Sequence, residues 1–356
     1  MMITFGMIGT GWRAEFYLRI VAACPEHFRV AGVVGRSAAK AANLGKRFNV
    51  PIFESIEALL QADRPQFMIV NISRGAALPI MAQLAALDIP ILCETPPAET
   101  LDDLRQVWAL VEGGARIQVA EQYWAQPHHA ARLAVAHSGK LGTITQAQVS
   151  FAHGYHGISL MRRFLGITFE PVTISAVRFT SPIIEGPGRG GLPGEERLRP
   201  SGQTVARFDF GDKLGIYDFA DDQYFSFIRR QRLLVRGERG EIVDESAVYL
   251  ADYRTPIRVT FERHSAGHNG NLEGNTLKGI QAGESWVYRN PLAPATLPDE
   301  EIAIGTCLLR MADYLGTGTP FYSAAEACQD RYLDLLMAQS LAEQKPISSE
   351  TQPWHS

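Results

Sequence analysis

The sequence predicts an α/β protein in two parts: a doubly wound parallel sheet over residues 1–122, then an α+β domain with an open, mostly antiparallel sheet over residues 123–356. Three observations predict it. Short, near-continuous apolar runs alternate with helical patterns up to about residue 122, as in a parallel sheet covered on both faces. The first of these runs ends in a glycine-rich turn. Beyond about residue 143 the runs alternate apolar and polar residues, which suits an antiparallel sheet with one solvated face.

The turn comes first. Ile3 to Ile8 reads as a buried strand, and Gly9-x-Gly11-x-x-Ala14 follows it. Gly9 permits a tight turn, Gly11 lets backbone approach a pyrophosphate, and Ala14 is small enough for close helix–strand packing. A helix over residues 14–23 would turn its N–H groups toward the phosphates. Gly9, Thr10, Gly11, Trp12 and Arg13 are therefore dinucleotide-binding candidates. A tight strand–helix turn that binds nothing is the plainer reading.

The second strand, Phe28 to Val34, ends in Gly35–Arg36–Ser37, and Ser37 can cap the next helix. An acidic residue at this strand end would bind the ribose hydroxyl of NAD and repel a 2′-phosphate. Here Arg36, Ser37 and Lys40 stand instead, which favours NADP(H), with NAD(H) as the alternative. Solvated charges at a helix start would look the same.

The alternation continues through strands at residues 67–72, 89–94 and 117–121. Ser55 can cap a helix, Thr100 followed by Asp103 resembles a capping box, and Leu78 to Leu87 reads as a helix. Ligands of such sheets sit at the carboxyl ends of the strands. Those ends supply Asn71, Ile72, Ser73, Arg74, Glu94, Thr95, Pro96 and Gln122 as further cofactor-side candidates.

In the second half, Pro182 to Gln203 is rich in Gly, Pro, Arg and Glu and reads as a long functional or mobile loop. Residues 302–315 and 324–342 read as helices, and the tail from Ser348 as loose. A net charge of -4 argues against a large non-specific nucleic-acid surface. No apolar run approaches the roughly 20 residues of a membrane span. The start lacks the basic region of a secretory signal. The four cysteines form no CxxC pair, so reduced thiols and a cytoplasmic location are expected.

The chain resembles the Gfo/Idh/MocA oxidoreductases over nearly its whole length. The resemblance rests on Gly9-x-Gly11-x-x-Ala14, on Ile91–Leu92–Cys93–Glu94–Thr95–Pro96 followed by Thr100–Leu101, and on Ser138–Gly139–Lys140–Leu141–Gly142–Thr143–Ile144. It rests also on His156–Gly157–Ile158–Ser159–Leu160 before Phe164–Leu165–Gly166, and on Val235–Arg236–Gly237–Glu238–Arg239–Gly240. It implies an N-terminal Rossmann domain, a C-terminal open sheet used for homodimer or higher contacts, and NAD(P)-dependent chemistry on sugars, polyols and related small molecules.

The chain departs from that pattern where the chemistry lies. Thr95 replaces the usual lysine of Glu-Lys-Pro, Ile72–Ser73–Arg74–Gly75 replaces a Pro-His segment, and Ala152 and Ser159 stand where aspartates flank the histidine. His156 keeps the family position and is the leading proton-transfer candidate, since its native pKa lies in the operating range. Tyr155, Tyr123, Thr95, His153 and Arg74 are the other polar candidates. A histidine merely hydrogen-bonded near a helix start is the plainer reading of His156. No carboxylate–histidine spacing points to a metal, and His128–His129 makes a poor site. Two alternatives remain at this stage: a nucleotide-holding sensor without turnover, and an enzyme using transient oxidation for elimination or glycoside cleavage.

Overall fold

The computed structural model describes residues 2–35, 37–267 and 275–355. In the first part β1 (Ile3–Ile8), α1 (Trp12–Ala23), β2 (Phe28–Val34), α2 (Ala38–Phe48), β3 (Ile52–Phe53) and α3 (Ile56–Ala62) follow one another. After them come β4 (Phe67–Val70), α4 (Arg74–Ala86), β5 (Ile91–Cys93), α5 (Leu101–Glu112) and β6 (Ile117–Val119). The strands form one parallel sheet in the order β3-β2-β1-β4-β5-β6. Strand order reverses between β1 and β4, which opens a crevice at their carboxyl ends. All four residues of β4 are buried, as in a strand covered on both faces.

The caps lie where the local sequence places them. Ser37, Ser55 and Thr100 each accept the N–H of the third helical residue. Helix α4 begins earlier than its apolar pattern, at Arg74, so the segment after β4 is a helix start rather than a free loop.

The second part opens with α6 (Pro127–Ala136), β7 (Ile144–Ser150) and α7 (Gly154–Leu165). A run of strands follows: β8 (Thr173–Ile184), β9 (Leu198–Asp209), β10 (Leu214–Ala220), β11 (Arg232–Gly237), β12 (Gly240–Val243), β13 (Ser246–Asp252), β14 (Thr255–Ala266), β15 (Thr276–Ala282) and β16 (Ser285–Arg289). Then come α8 (Asp299–Thr317), α9 (Ala324–Glu343) and β17 (Ile347–Ser348). These strands join in the order β16-β15-β14-β13-β12-β11-β7-β10-β9-β8-β17. Only the β7–β10 pair is parallel. Helix α8 packs back on α1, and α9 on α5 and α7, so the C-terminal helices tie the two sheets together.

Two expectations are corrected. The segment from Pro182 to Gln203 is not one long loop. Strands β8 and β9 run through both its ends as a two-stranded arm, leaving residues 185–197 as the connection. Pro182 and Pro200 face each other there, beyond the reach of β10 and β17, where a missing N–H breaks no ladder. The tail is not loose either. Ile347 and Ser348 pair with β8, and Trp354 is fully buried with its indole N–H donated to Gln329 Oε1 at 2.9 Å.

Candidate active site

The crevice between β1, β2 and β4 holds a groove of about 890 Å³. Its floor is the glycine turn. Gly9 has φ of 120°, and a β-carbon there would lie 1.9 Å from the Asn71 carbonyl oxygen, so no other residue fits. Gly11 caps α1 with no side-chain hydrogen bond, and a β-carbon on it would meet no atom within 4 Å. The first-turn N–H groups of α1 thus face open groove. Ala14 is fully buried, as close packing of α1 requires.

Thr10, Trp12 and Arg13 line one side of this groove, and Asn71, Ile72 and Ser73 the other. The buried Asn71 Nδ2 has no hydrogen-bond partner, and it borders the groove. An orphaned donor beside a glycine turn that leaves room for backbone approach fits a dinucleotide with its pyrophosphate on α1. Ser37 and Lys40 line the far end, together with Glu54 and Glu57. Arg36 lies outside the described residues.

Glu94, Thr95, Pro96 and Gln122 stand apart from this groove. Glu94 Oε1 accepts the Tyr17 hydroxyl at 2.5 Å, and Arg13 donates to Glu300 at 2.8 Å while reaching toward Glu94. Thr95 donates its N–H to Glu94 Oε2 at 3.4 Å. Gln122 is buried and caps the turn at Tyr123–Ala125. Pro96 and Arg74 line a second cavity instead.

That cavity measures about 260 Å³ and adjoins the groove at the start of α4, where Ser73 lines one and Arg74 the other. His156, in the first turn of α7, faces it. Its Nδ1 lies 2.5 Å from Oε2 of Glu121, a fully buried carboxylate just past β6. The other Glu121 oxygen accepts the Tyr123 N–H at 2.9 Å. With Nδ1–H given to the carboxylate, the neutral imidazole keeps its lone pair on Nε2.

Around this pair runs a chain of hydroxyls. The Tyr123 ring lies 4.7 Å from that of His156, and its hydroxyl donates to Tyr224 Oη at 3.1 Å. Tyr224 Oη also accepts the His153 N–H at 3.1 Å and sits 2.7 Å from His153 Nδ1. The Tyr224 proton therefore points to Nδ1, which leaves His153 neutral. Burial first, then the neighbouring His156, Arg74 and Arg189, push the His153 pKa down to about 4. Burial raises the Tyr123 hydroxyl well above its ordinary value, so it keeps its proton. Tyr155 also borders the cavity, though it is only 3% exposed; it meets the His156 ring edge-on at 5.3 Å, with its hydroxyl buried beside Tyr322.

Several lining groups carry no local sequence signal. Asp334 and Arg331 come from α9 and pair with each other, and Arg178 from β8 pairs with Asp221. Asp334 sits over the start of α7, where a β-carbon on Gly154 would collide with it. Burial raises its pKa, against the opposing charge of Arg331. Arg331-x-x-Asp334 is legible only as a helical i, i+3 pair. Glu121 reads as the end of an apolar strand. Among the described residues, no group of three or more His, Cys, Asp or Glu could hold a metal, and no helix is long and apolar enough to cross a membrane. All four cysteines are free and buried.

Residues 3–121 match the model of an oxidoreductase family with an NAD-binding Rossmann fold, the Gfo/Idh/MocA family. An inositol 2-dehydrogenase of Rubrobacter xylanophilus is 29% identical over 181 residues, which cover 49% of this chain and 49% of that protein. The match thus spans about half the length of this curated relative. A levoglucosan dehydrogenase in complex with NADH and L-sorbose superposes with a TM-score of 0.70 at 15% identity, over 99% of this chain and 100% of that one. An oxidoreductase from Agrobacterium radiobacter, in complex with NAD+, L-tartaric acid and magnesium, gives 0.67 at 16% identity over 98% of both chains. Strand order, glycine turn and matched segment agree: residues 3–121 form an NAD-binding Rossmann domain similar to that of the Gfo/Idh/MocA oxidoreductases.

Proposed function

We propose that the protein is an NAD(P)-dependent oxidoreductase acting on the CH–OH or carbonyl group of a small sugar-like or other polar substrate, with NADP(H) preferred. Residues 1–122 hold the dinucleotide, and residues 123–356 supply most of the substrate face. The observation that carries this reading is the Glu121–His156 pair, whose imidazole lines a cavity that neighbours the dinucleotide groove at Ser73 and Arg74. The polyhydroxylated compounds named for the relatives above support a hydroxylated substrate.

Once bound, the dinucleotide supplies the hydride acceptor or donor. The chain's residues manage the proton. His156 Nε2 takes the proton of the substrate hydroxyl, and buried Glu121 offsets the positive charge that forms on the ring. Tyr123 and Tyr224 fix the neighbouring rings through their hydroxyls. Thr95, in the lysine position of the resemblance, can donate a hydrogen bond but cannot carry a proton charge.

NADP(H) preference rests on Lys40 and Ser37 at the far end of the groove, with Arg36 beside them in sequence. The outward face of the arm shows Val177 and Phe179 about two-thirds exposed, with Val205 paired opposite Val177. That apolar strip is the surface we assign to a homodimer. Light scattering that gives a monomer mass at high micromolar concentration would contradict the assignment.

Turnover of NADPH and NADP+ against a panel of sugars, polyols, hydroxy acids and their carbonyl forms tests the activity. The reading predicts hydride transfer with at least one member. Tight dinucleotide binding with no transfer would favour a nucleotide-holding sensor, which the lysine-to-threonine departure at Thr95 also suits.

A further inference from the structure

We infer that the substrate carries a carboxylate and that Arg74 binds it. This rests on the oxidoreductase reading for the place of the site, and adds the charge of its ligand.

Three arginines line the cavity. Arg178 is taken by Asp221, and Arg331 by Asp334 and the Glu99 carbonyl oxygen. Arg74 makes no hydrogen bond, and no ion pair within 4.0 Å, among the described residues; its charge acts at longer range on Asp334, which Arg331 holds directly. The remaining carboxylates nearby are committed elsewhere. Glu121 holds His156 and the Tyr123 N–H, and Glu94 holds Tyr17. Glu99 lies beside Gly75 without reaching Arg74.

Arg74 is exposed at the cavity edge, and its position on the helix is mildly unfavourable for a cation. It is the first residue of α4, at the positive end of the helix dipole, and the first turn contains no acid. A second cation, Arg189 of the β8–β9 arm, stacks 4.2 Å from the Trp12 ring and has no carboxylate within 4.0 Å among the described residues. The three lining arginines outnumber the lining carboxylates Asp221 and Asp334, and Arg189 adds positive charge near His153 from outside the cavity. The positive surroundings of His153 agree with this.

A guanidinium without a partner, beside a small cavity and a proton-accepting imidazole, suits a polyhydroxy acid. Its carboxylate would take the planar fork of Arg74 while a hydroxyl reaches His156 Nε2.

Calorimetry on the protein loaded with whichever of NAD+ or NADP+ it binds decides this, using D-gluconate and the neutral polyol D-glucitol. Gluconate should bind at least about tenfold tighter than glucitol, the effect of one charge-assisted contact. Arg74→Gln should abolish that advantage, and Arg74→Lys should keep part of it. Gluconate binding no tighter than glucitol, including no binding of either, overturns the inference, as does an equal loss of both ligands in Arg74→Gln. Turnover of neutral polyols without carboxylate selectivity would keep the oxidoreductase and remove the inference. Selective carboxylate binding without hydride transfer would do the reverse.

Discussion

Nδ1 of His156 lies 2.5 Å from Oε2 of Glu121, and Glu121 is fully buried. A buried carboxylate is costly unless its lone pairs are used. Here the imidazole and the Tyr123 N–H use them. The pair orients His156 toward the cavity and holds a negative charge behind the ring.

Glu121→Gln should preserve the contact geometry while removing that charge. We expect kcat to fall roughly ten- to a hundredfold, as for one charge-assisted hydrogen bond lost from the transition state, with substrate KM nearly unchanged. Steady-state kinetics on the folded variant checks this. A kcat equal to wild type would show that Glu121 only positions structure.

The two glycines of the turn should respond differently. Gly11→Val has room for its β-carbon and an ordinary φ of -73°, so it should fold and lose dinucleotide affinity. Gly9→Ala would drive a β-carbon into the Asn71 carbonyl and should destabilise the domain itself. Calorimetric titration with thermal melts separates the outcomes. Undiminished NADP(H) affinity in folded Gly11→Val would remove the groove from consideration.

NADP(H) should bind about tenfold or more tightly than NAD(H) at matched salt, the scale of one charge-assisted contact to a 2′-phosphate. Glu54 and Glu57 line the same groove and oppose this, so the balance is a direct reading of Lys40 and Arg36. Equal affinities would assign those two cations to the solvent.

His153 should remain neutral well below the ordinary histidine range, titrating near pH 4. Its folded-state pKa is depressed, so the unfolded chain takes up the proton first. Its contribution to stability is present above about pH 6.5 and is lost as the pH falls toward 4. Histidine NMR titration should show this resonance fixed from pH 7 to 5, and Arg74→Gln should raise its pKa. Titration in the ordinary range would refute the charge balance around the cavity.

The sequence made the dinucleotide half legible because its signals are local. A turn of six residues, three hydroxyl caps and apolar strands at short intervals each act within one or two turns of chain. The cavity was not legible, because its wall joins Arg74, His153, Asp221 and Asp334 from four distant segments. No spacing links them. His156 was legible by motif, yet its partner Glu121 reads as strand. Pro182 and Pro200 misled for a different reason: proline marks a loop in most strands, but not on a ribbon with free edges. Trp354 sits past the last helical pattern, where sequence offers only a short polar tail.

The most direct measurement is the rate of hydride transfer in His156→Ala, beside Thr95→Ala, using the best substrate of the panel. If His156 carries the proton, kcat of His156→Ala falls by about 10²–10⁴, while Thr95→Ala loses far less. A His156→Ala enzyme with wild-type kcat would contradict the account.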